Sequence, residues 1–282
     1  MSIDTRLTGL QSLSRNQGSC GSCWAVVVAY AVENRLLQSN IKARIAESQI
    51  MQDSKNNFGC KGGDFGVAIR EFLDQKTPIP SMPEMTYAEL FSSVFTVSKL
   101  KFSSDDEKLI MQHIDAGNAV AGAMSVKSAT FLNRIFLSSF AGDVLGGGCS
   151  AALDHQVLFA GYGRFKGRDV WVLKNTWGSH WGNYGYFYVE RGQNTLCSEQ
   201  YYSVAVAKLE QKSRISEVDS SYFGYVKQGS SGLDKLDGSF KKWRRTGSLN
   251  PMEGFLLIFL VAFITGTILG VCMRLKKKKQ RE

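Results

Sequence analysis

The sequence predicts an α+β domain followed by a stalk, one transmembrane helix and a short basic tail. Three observations carry this. An apolar run, VVVAYAVENRLL, follows the Cys23 region with Val28, Leu36 and Leu37 at helical spacing. DHQVLFAGYG from Asp154 reads as an alternating apolar strand and VWVLKNTWG from Val170 as a second strand, with polar residues at their ends. Residues 254–273 are 20 consecutive uncharged positions, the length a helix needs to cross the roughly 30 Å core of a bilayer. With 44% hydrophobic and 21% charged residues over 282 positions, the chain has the make-up of a packed protein, which excludes disorder as its main state.

Taken in order from the N-terminus, the segment MSIDTRLTGLQSLSRNQGS holds no apolar stretch of the roughly 7–15 residues a secretory signal needs. A helix is expected from near Cys23, and EKLIMQHIDAG is a second helix-like stretch that contains His113. The two strands follow, one opening at His155 and the other closing at Lys174 and Asn175, with His180 in the Gly-rich loop beyond. The domain is expected over residues 1–207. Residues 208–253, rich in Ser, Gly, Lys and Asp without periodicity, read as a flexible stalk. The span over 254–273 has only two Thr residues, where a buried core helix would show polar residues every third or fourth position. In the tail, residues 274–282, Arg274, Lys276, Lys277, Lys278, Lys279 and Arg281 outnumber Lys241, Lys242, Arg244 and Arg245 before the span. That bias places the tail in the cytosol, against an anionic inner leaflet.

The net charge of +9 is uneven: residues 1–207 carry 19 Lys+Arg against 18 Asp+Glu, and residues 208–282 carry 15 against 7. The domain is nearly neutral and has no basic stripe, so no nucleic-acid partner is expected.

Of six cysteines, Cys272 lies in the membrane run and reads as a small apolar residue or a lipidation site. The other five allow two bridges and one free, reactive thiol. Cys23 sits where a helix begins, and unpaired N–H groups with the positive end of the macrodipole favour its thiolate. A thiolate nucleophile also needs a proton acceptor and an oxyanion site. His113 and His180 read as packing or surface residues, whereas His155 heads a strand.

The motifs QGSCGSCWA, ESQIM, GCKGGD, LDHQVLFAGYG and VLKNTWGSHWGNYGYFYVERG, spread over about residues 3–206, resemble the papain-like cysteine peptidases, the family of papain and the cathepsins. That family's C-G-[SA]-C-[WY] signature has its His and Asn about 130 to 150 residues further on. Here His155 follows Cys23 by 132 residues and Asn175 by 152. The resemblance implies a two-lobed fold, with a mainly helical left lobe, a β-barrel-like right lobe and the active site in the cleft between them. It gives Cys23 the role of nucleophile and His155 that of base and acid. Asn175 would orient the imidazole, Trp177 would shield the Asn–His bond, and Gln17 with the Cys23 N–H would form the oxyanion hole. A thiolate–imidazolium pair is then expected at rest.

By the same resemblance, Cys20 pairs with Cys60 and Cys149 with Cys197. The family's further left-lobe bridge is missing, since Asp53 stands where one of its cysteines lies, so a less rigid left lobe is expected. Gly62, Gly63, Asp64 and Phe65 would line the pocket for the substrate residue two before the scissile bond. Tyr202 either forms that pocket's floor or packs in the final strand, YYSVAV. The long His-bearing insertion that gives cathepsin B its carboxydipeptidase action does not follow GCKGG, so endopeptidase action is expected. Cys20-Gly-Ser-Cys23 as a redox CxxC would lack a βαβ context and leave Gln17, His155 and Asn175 unexplained. No second CxxC or HxxxH pair points to zinc, and no metal or other cofactor is expected.

The function expected is that of a membrane-anchored cysteine endopeptidase acting on protein and peptide substrates, its domain lumenal or extracellular and its bilayer contact through residues 254–273. The alternative is a catalytically silent papain-fold binding or adhesion protein at a membrane, against which the intact set of Gln17, Cys23, His155 and Asn175 speaks. Family members carry a signal peptide and a propeptide before the segment that here starts close to Met1. The chain is therefore read as truncated, processed or mis-started, and a cytosolic domain would keep its thiols reduced.

Overall fold

A helix enclosed on all sides organises this fold. After a short strand β1 (Ile3–Asp4), helix α1 runs over Cys23–Gln38, the helix expected from sequence. Nine consecutive residues, Trp24 to Val32, are at most 1% exposed. A helix apolar around its whole circumference is stable only when enclosed. In the computed structural model, which describes residues 3–99, 103–126, 143–149 and 152–208, helices α2 (Glu47–Asp53) and α3 (Phe65–Asp74) and a sheet pack against it. The span and tail expected from residue 254 onward, and the stalk beyond Lys208, lie outside the described residues. Among the described residues no helix is long and apolar enough to cross a membrane.

The chain continues through β2 (Pro78–Ile79), β3 (Met82–Thr86), α4 (Tyr87–Leu90), β4 (Phe91–Ser98), α5 (Ser104–Asp115), β5 (Ala119–Met124) and β6 (Val144–Leu145). It ends on β7 (His155–Phe165), β8 (Arg168–Lys174), β9 (Tyr186–Glu190) and β10 (Tyr201–Ala207). Eight strands form one sheet in the order β4-β10-β5-β7-β8-β9-β6, with β1 beside β7. Every pair is antiparallel except β6 with β9. This sheet is the expected β-rich lobe, although among the described residues no rung joins β4 to β6 to close a barrel.

The middle strands serve two cores, because successive side chains on a strand point to opposite faces. Val120, Val157, Phe159 and Val204 pack with Trp171, Leu173 and Phe187 on one side. Ala121, Leu158 and Ala205 pack into the core of α1 on the other. Both faces being covered, these strands read as unbroken apolar runs rather than as alternation with polar residues. The two lobes implied by sequence are thus joined through a shared layer.

The described cysteines pair as the resemblance implied, Cys20 with Cys60 and Cys149 with Cys197, leaving Cys23 free. No described cysteine lies at Asp53, and the chain that follows it is held by hydrogen bonds. Buried Glu71 of α3 accepts from Ser54 Oγ at 2.8 Å, Lys55 N at 2.7 Å and Asn56 N at 3.3 Å, fastening the chain that leaves α2. Burial opposes the charge of Glu71, but these donors hold its carboxyl below the ordinary range.

The Cys20–Cys60 bridge closes a span of 40 residues, for which chain entropy gives about 4 kcal/mol. Cys20→Ser/Cys60→Ser is expected to lower the unfolding free energy by about that amount, as read by denaturant titration.

Candidate active site

Cys23 is the first residue of α1, and the residue before it, Ser22, makes no side-chain cap. The helix terminus is therefore free to act on the thiol. Cys23 is 8% exposed. Burial pushes its thiol up, while the backbone N–H groups of Gln156, Trp24 and Cys23 itself pull the other way.

His155 opens β7 and pairs with Met124 at the end of β5. The β7–β8 register sets Leu158 against Lys174. Continued outward, that register brings His155 level with the residues just after β8, and Asn175 and Trp177 are found beside it. Asn175 Oδ1 lies 2.7 Å from His155 Nε2 and also accepts from Thr176 N at 2.8 Å. The Thr176 N–H requires an acceptor, so it fixes which way the amide faces. Nε2 of His155 must then be the donor, which leaves Nδ1 as the basic nitrogen. Asn175 is fully buried, and its Nδ2 has no hydrogen-bond partner. The Trp177 ring lies 5.0 Å from the imidazole, with Trp181 edge-on 5.1 Å beyond it. The indole thus stands beside the imidazole, the position the resemblance implies for Trp177.

Burial pushes the imidazole of His155 down to about 4, against the opposing effects of Asn175 and Asp154. Desolvation thus favours a neutral thiol and a neutral imidazole. The ion pair expected at rest has to overcome this through mutual attraction and the helix terminus.

Gln17 is placed by a short antiparallel pairing of two loops. Gln17 N donates to Thr176 O at 2.8 Å and Gly178 N donates to Arg15 O at 2.7 Å, with Asn16 opposite Trp177. The side-chain Oε1 accepts from Thr176 Oγ1, and Nε2 donates to Cys20 O at 2.7 Å. An amide nitrogen has two hydrogens. One is committed to Cys20 and the other is left for a ligand.

The residues expected at the substrate pocket follow the Cys60 bridge and lead into α3. Gly62 has φ +120°, and a Cβ on Gly63 would lie 2.7 Å from the Trp24 ring, so both positions need glycine. Asp64 caps α3 by accepting from Val67 N at 3.0 Å. Its Oδ2 accepts from Gln156 Nε2 at 2.7 Å and from Tyr201 OH at 3.0 Å. One assignment is corrected: Phe65 does not line a pocket but is fully buried in the core of α1. Of the two readings of Tyr202, packing in the final strand is the one found, since it is buried in the opposite core, and its neighbour Tyr201 reaches Asp64. One step along a strand reverses the face a side chain presents. Gln156, Thr176 and Tyr201 were missed, and adjacency to His155 and Asn175 was the only sequence signal for the first two. His113 of α5 pairs with Asn118, just beyond the end of that helix, and His180 is exposed.

The model of the papain family of cysteine proteases matches residues 1–207. Pro-cathepsin H of Mus musculus is 32% identical over 209 residues, covering 68% of this chain and 61% of its own. Digestive procathepsin L2 of Tenebrio molitor larval midgut superposes with a TM-score of 0.61 at 28% identity, over 74% of this chain and 68% of its own. The bromelain protease of Ananas comosus, solved with the E64 inhibitor, does so at 0.59 and 25%, over 74% and 99%. The chain spans about half the length of the curated relatives it matches.

A buried imidazole held neutral adds stability that is fully present above its ordinary value and is lost as pH falls toward its depressed one. In Cys23→Ala, where no thiolate can pair with His155, unfolding free energy should rise between pH 4 and 6.5. Adding His155→Gln should remove about 3 kcal/mol of that rise, read by denaturant titration at each pH.

Proposed function

The chain belongs to the papain family of cysteine proteases, and from this we propose that it hydrolyses peptide bonds as an endopeptidase through Cys23, His155, Asn175 and Gln17. The observation that carries the proposal is the bond from His155 Nε2 to Asn175 Oδ1, in a chain whose free described thiol stands at a helix N-terminus. His155 Nδ1 takes the thiol proton, and the Cys23 sulfur attacks the peptide carbonyl carbon. The oxyanion accepts from Cys23 N–H and the uncommitted Nε2 hydrogen of Gln17. The imidazolium then protonates the departing amine, leaving a thioester. A water molecule, deprotonated by Nδ1, attacks this acyl-enzyme and expels the thiolate, which completes the cycle. Trp177 keeps water from the His155–Asn175 bond.

On the substrate side we assign Gly62, Gly63 and Asp64 to the wall that the peptide meets. Endopeptidase action is supported by the start of α3 at Phe65 directly after Gly62, Gly63 and Asp64, which leaves no room for an insertion blocking one end of the cleft. Two disulfides support an oxidising, lumenal or extracellular location. The 20 uncharged residues of 254–273 support anchoring of the protein in a bilayer, with 208–253 as stalk and the basic residues 274–282 on the cytosolic side.

Cys23→Ala is expected to abolish both peptide hydrolysis and labelling by an epoxide inhibitor. Gln17→Ala should lower kcat/KM by about 10²- to 10³-fold while leaving the thermal midpoint near that of wild type. Labelling and turnover that persist without Cys23 would reject the assignment. The full chain should remain with the membrane pellet after alkaline carbonate extraction, and deletion of residues 254–282 should release it.

A further inference from the structure

Resting on the roles given above to Cys23, His155 and Asn175, we propose that Tyr30 is a positioning residue whose hydroxyl sets where α1, and with it Cys23, stands against the Asn175–His155 pair. Tyr30 follows Cys23 by seven residues, two helical turns, so both lie on one face of α1. Its side chain is fully buried. The hydroxyl accepts from Arg15 N at 2.6 Å and donates to Asn175 O at 3.2 Å.

These partners belong to the two paired loops. Gln17 N and Gly178 N cross directly to the opposite backbone, whereas between Arg15 N and Asn175 O the phenol oxygen of Tyr30 makes the link. One atom of α1 therefore ties the segment carrying Gln17 to the residue that orients His155. The ring is clamped as well: Lys174 Nζ stands 3.8 Å from its centroid and donates to Ser12 O and Ser12 Oγ. Burial raises the phenol's proton affinity, so the hydrogen needed for donation stays in place.

Removing the hydroxyl leaves a buried N–H and a buried C=O unpaired, and the loops must shift to satisfy them. A shift there changes the sulfur–imidazole geometry directly, and turnover is steeply sensitive to such displacement. The test is Tyr30→Phe in the full chain, with active sites counted by stoichiometric labelling of Cys23 with an epoxide inhibitor. Expected is a fall of about tenfold in kcat per labelled site with KM within about twofold, together with a displaced pH profile for Cys23 alkylation by iodoacetamide. Wild-type kcat per labelled site with a superimposable alkylation profile, even alongside a lower thermal midpoint, would reduce Tyr30 to a packing role and overturn the proposal. If the Phe variant does not fold, 3-fluorotyrosine at position 30 keeps the shape and alters only hydroxyl acidity. A displaced alkylation profile supports the proposal, and an unchanged one overturns it. Loss of activity in Cys23→Ala tests the catalytic assignment separately, so the two can fail independently.

Discussion

The site depends on one short piece of backbone pairing, in which residues 15–17 run antiparallel to residues 176–178. The first segment leads into α1 and so into Cys23, and the second leaves β8 and so carries Asn175 and Trp177. The segment that leads into α1 and the segment that leaves β8 are held side by side because the two loops share hydrogen bonds. Side chains then tighten the pairing, with Thr176 Oγ1 donating to Gln17 Oε1 and Thr176 N holding Asn175 Oδ1. A site assembled this way needs little precision from the far parts of either lobe.

Beneath the pairing lies a layer of buried charge. Arg15 pairs with Glu33 and Glu47, and Lys174, fully buried, has its ammonium pushed well below the ordinary lysine range by desolvation. Buried charges gain little stability over apolar groups of the same size, but losing one partner leaves the other exposed to the full desolvation cost. Such a layer tolerates very few arrangements. It limits how far α1, which carries Glu33, can slide relative to β8, which ends on Lys174.

What could be read from sequence divides along physical lines. Helix α1 and strands β7 and β8 were legible because their apolar residues follow helical or strand spacing over many positions, and their polar ends marked His155 and Asn175. Cys23 was singled out by its place at the start of a helix among an odd number of cysteines, and Gln17 and Trp177 only because the motifs around them resemble the papain-like family. Phe65 was placed in the cleft by its position in those motifs and proved to be a core residue, and of the two readings open for Tyr202 it is packing in the final strand that the structure has. Strand alternation turns a one-residue offset into a change of lobe, so Tyr201 faces Asp64 and Tyr202 does not. Tyr30 could not be recognised at all. Within an apolar helix it looks like any core aromatic, and its hydroxyl acquires meaning only from Arg15 and Asn175, which lie 15 residues before it and 145 after it.

The fastening at Glu71 gives the helical lobe an unusual sensitivity. A cystine crosslink fails when electrons are supplied, and thiol exchange can undo it. A carboxylate gripping the 54–56 loop is indifferent to reductant and fails when protons are supplied, because its contribution to stability lasts only while its oxygens are ionised. The 54–56 loop thus answers to acid, while the Cys20–Cys60 bridge a few residues further on answers to reductant, and a compartment that the protein enters tests the two fastenings separately.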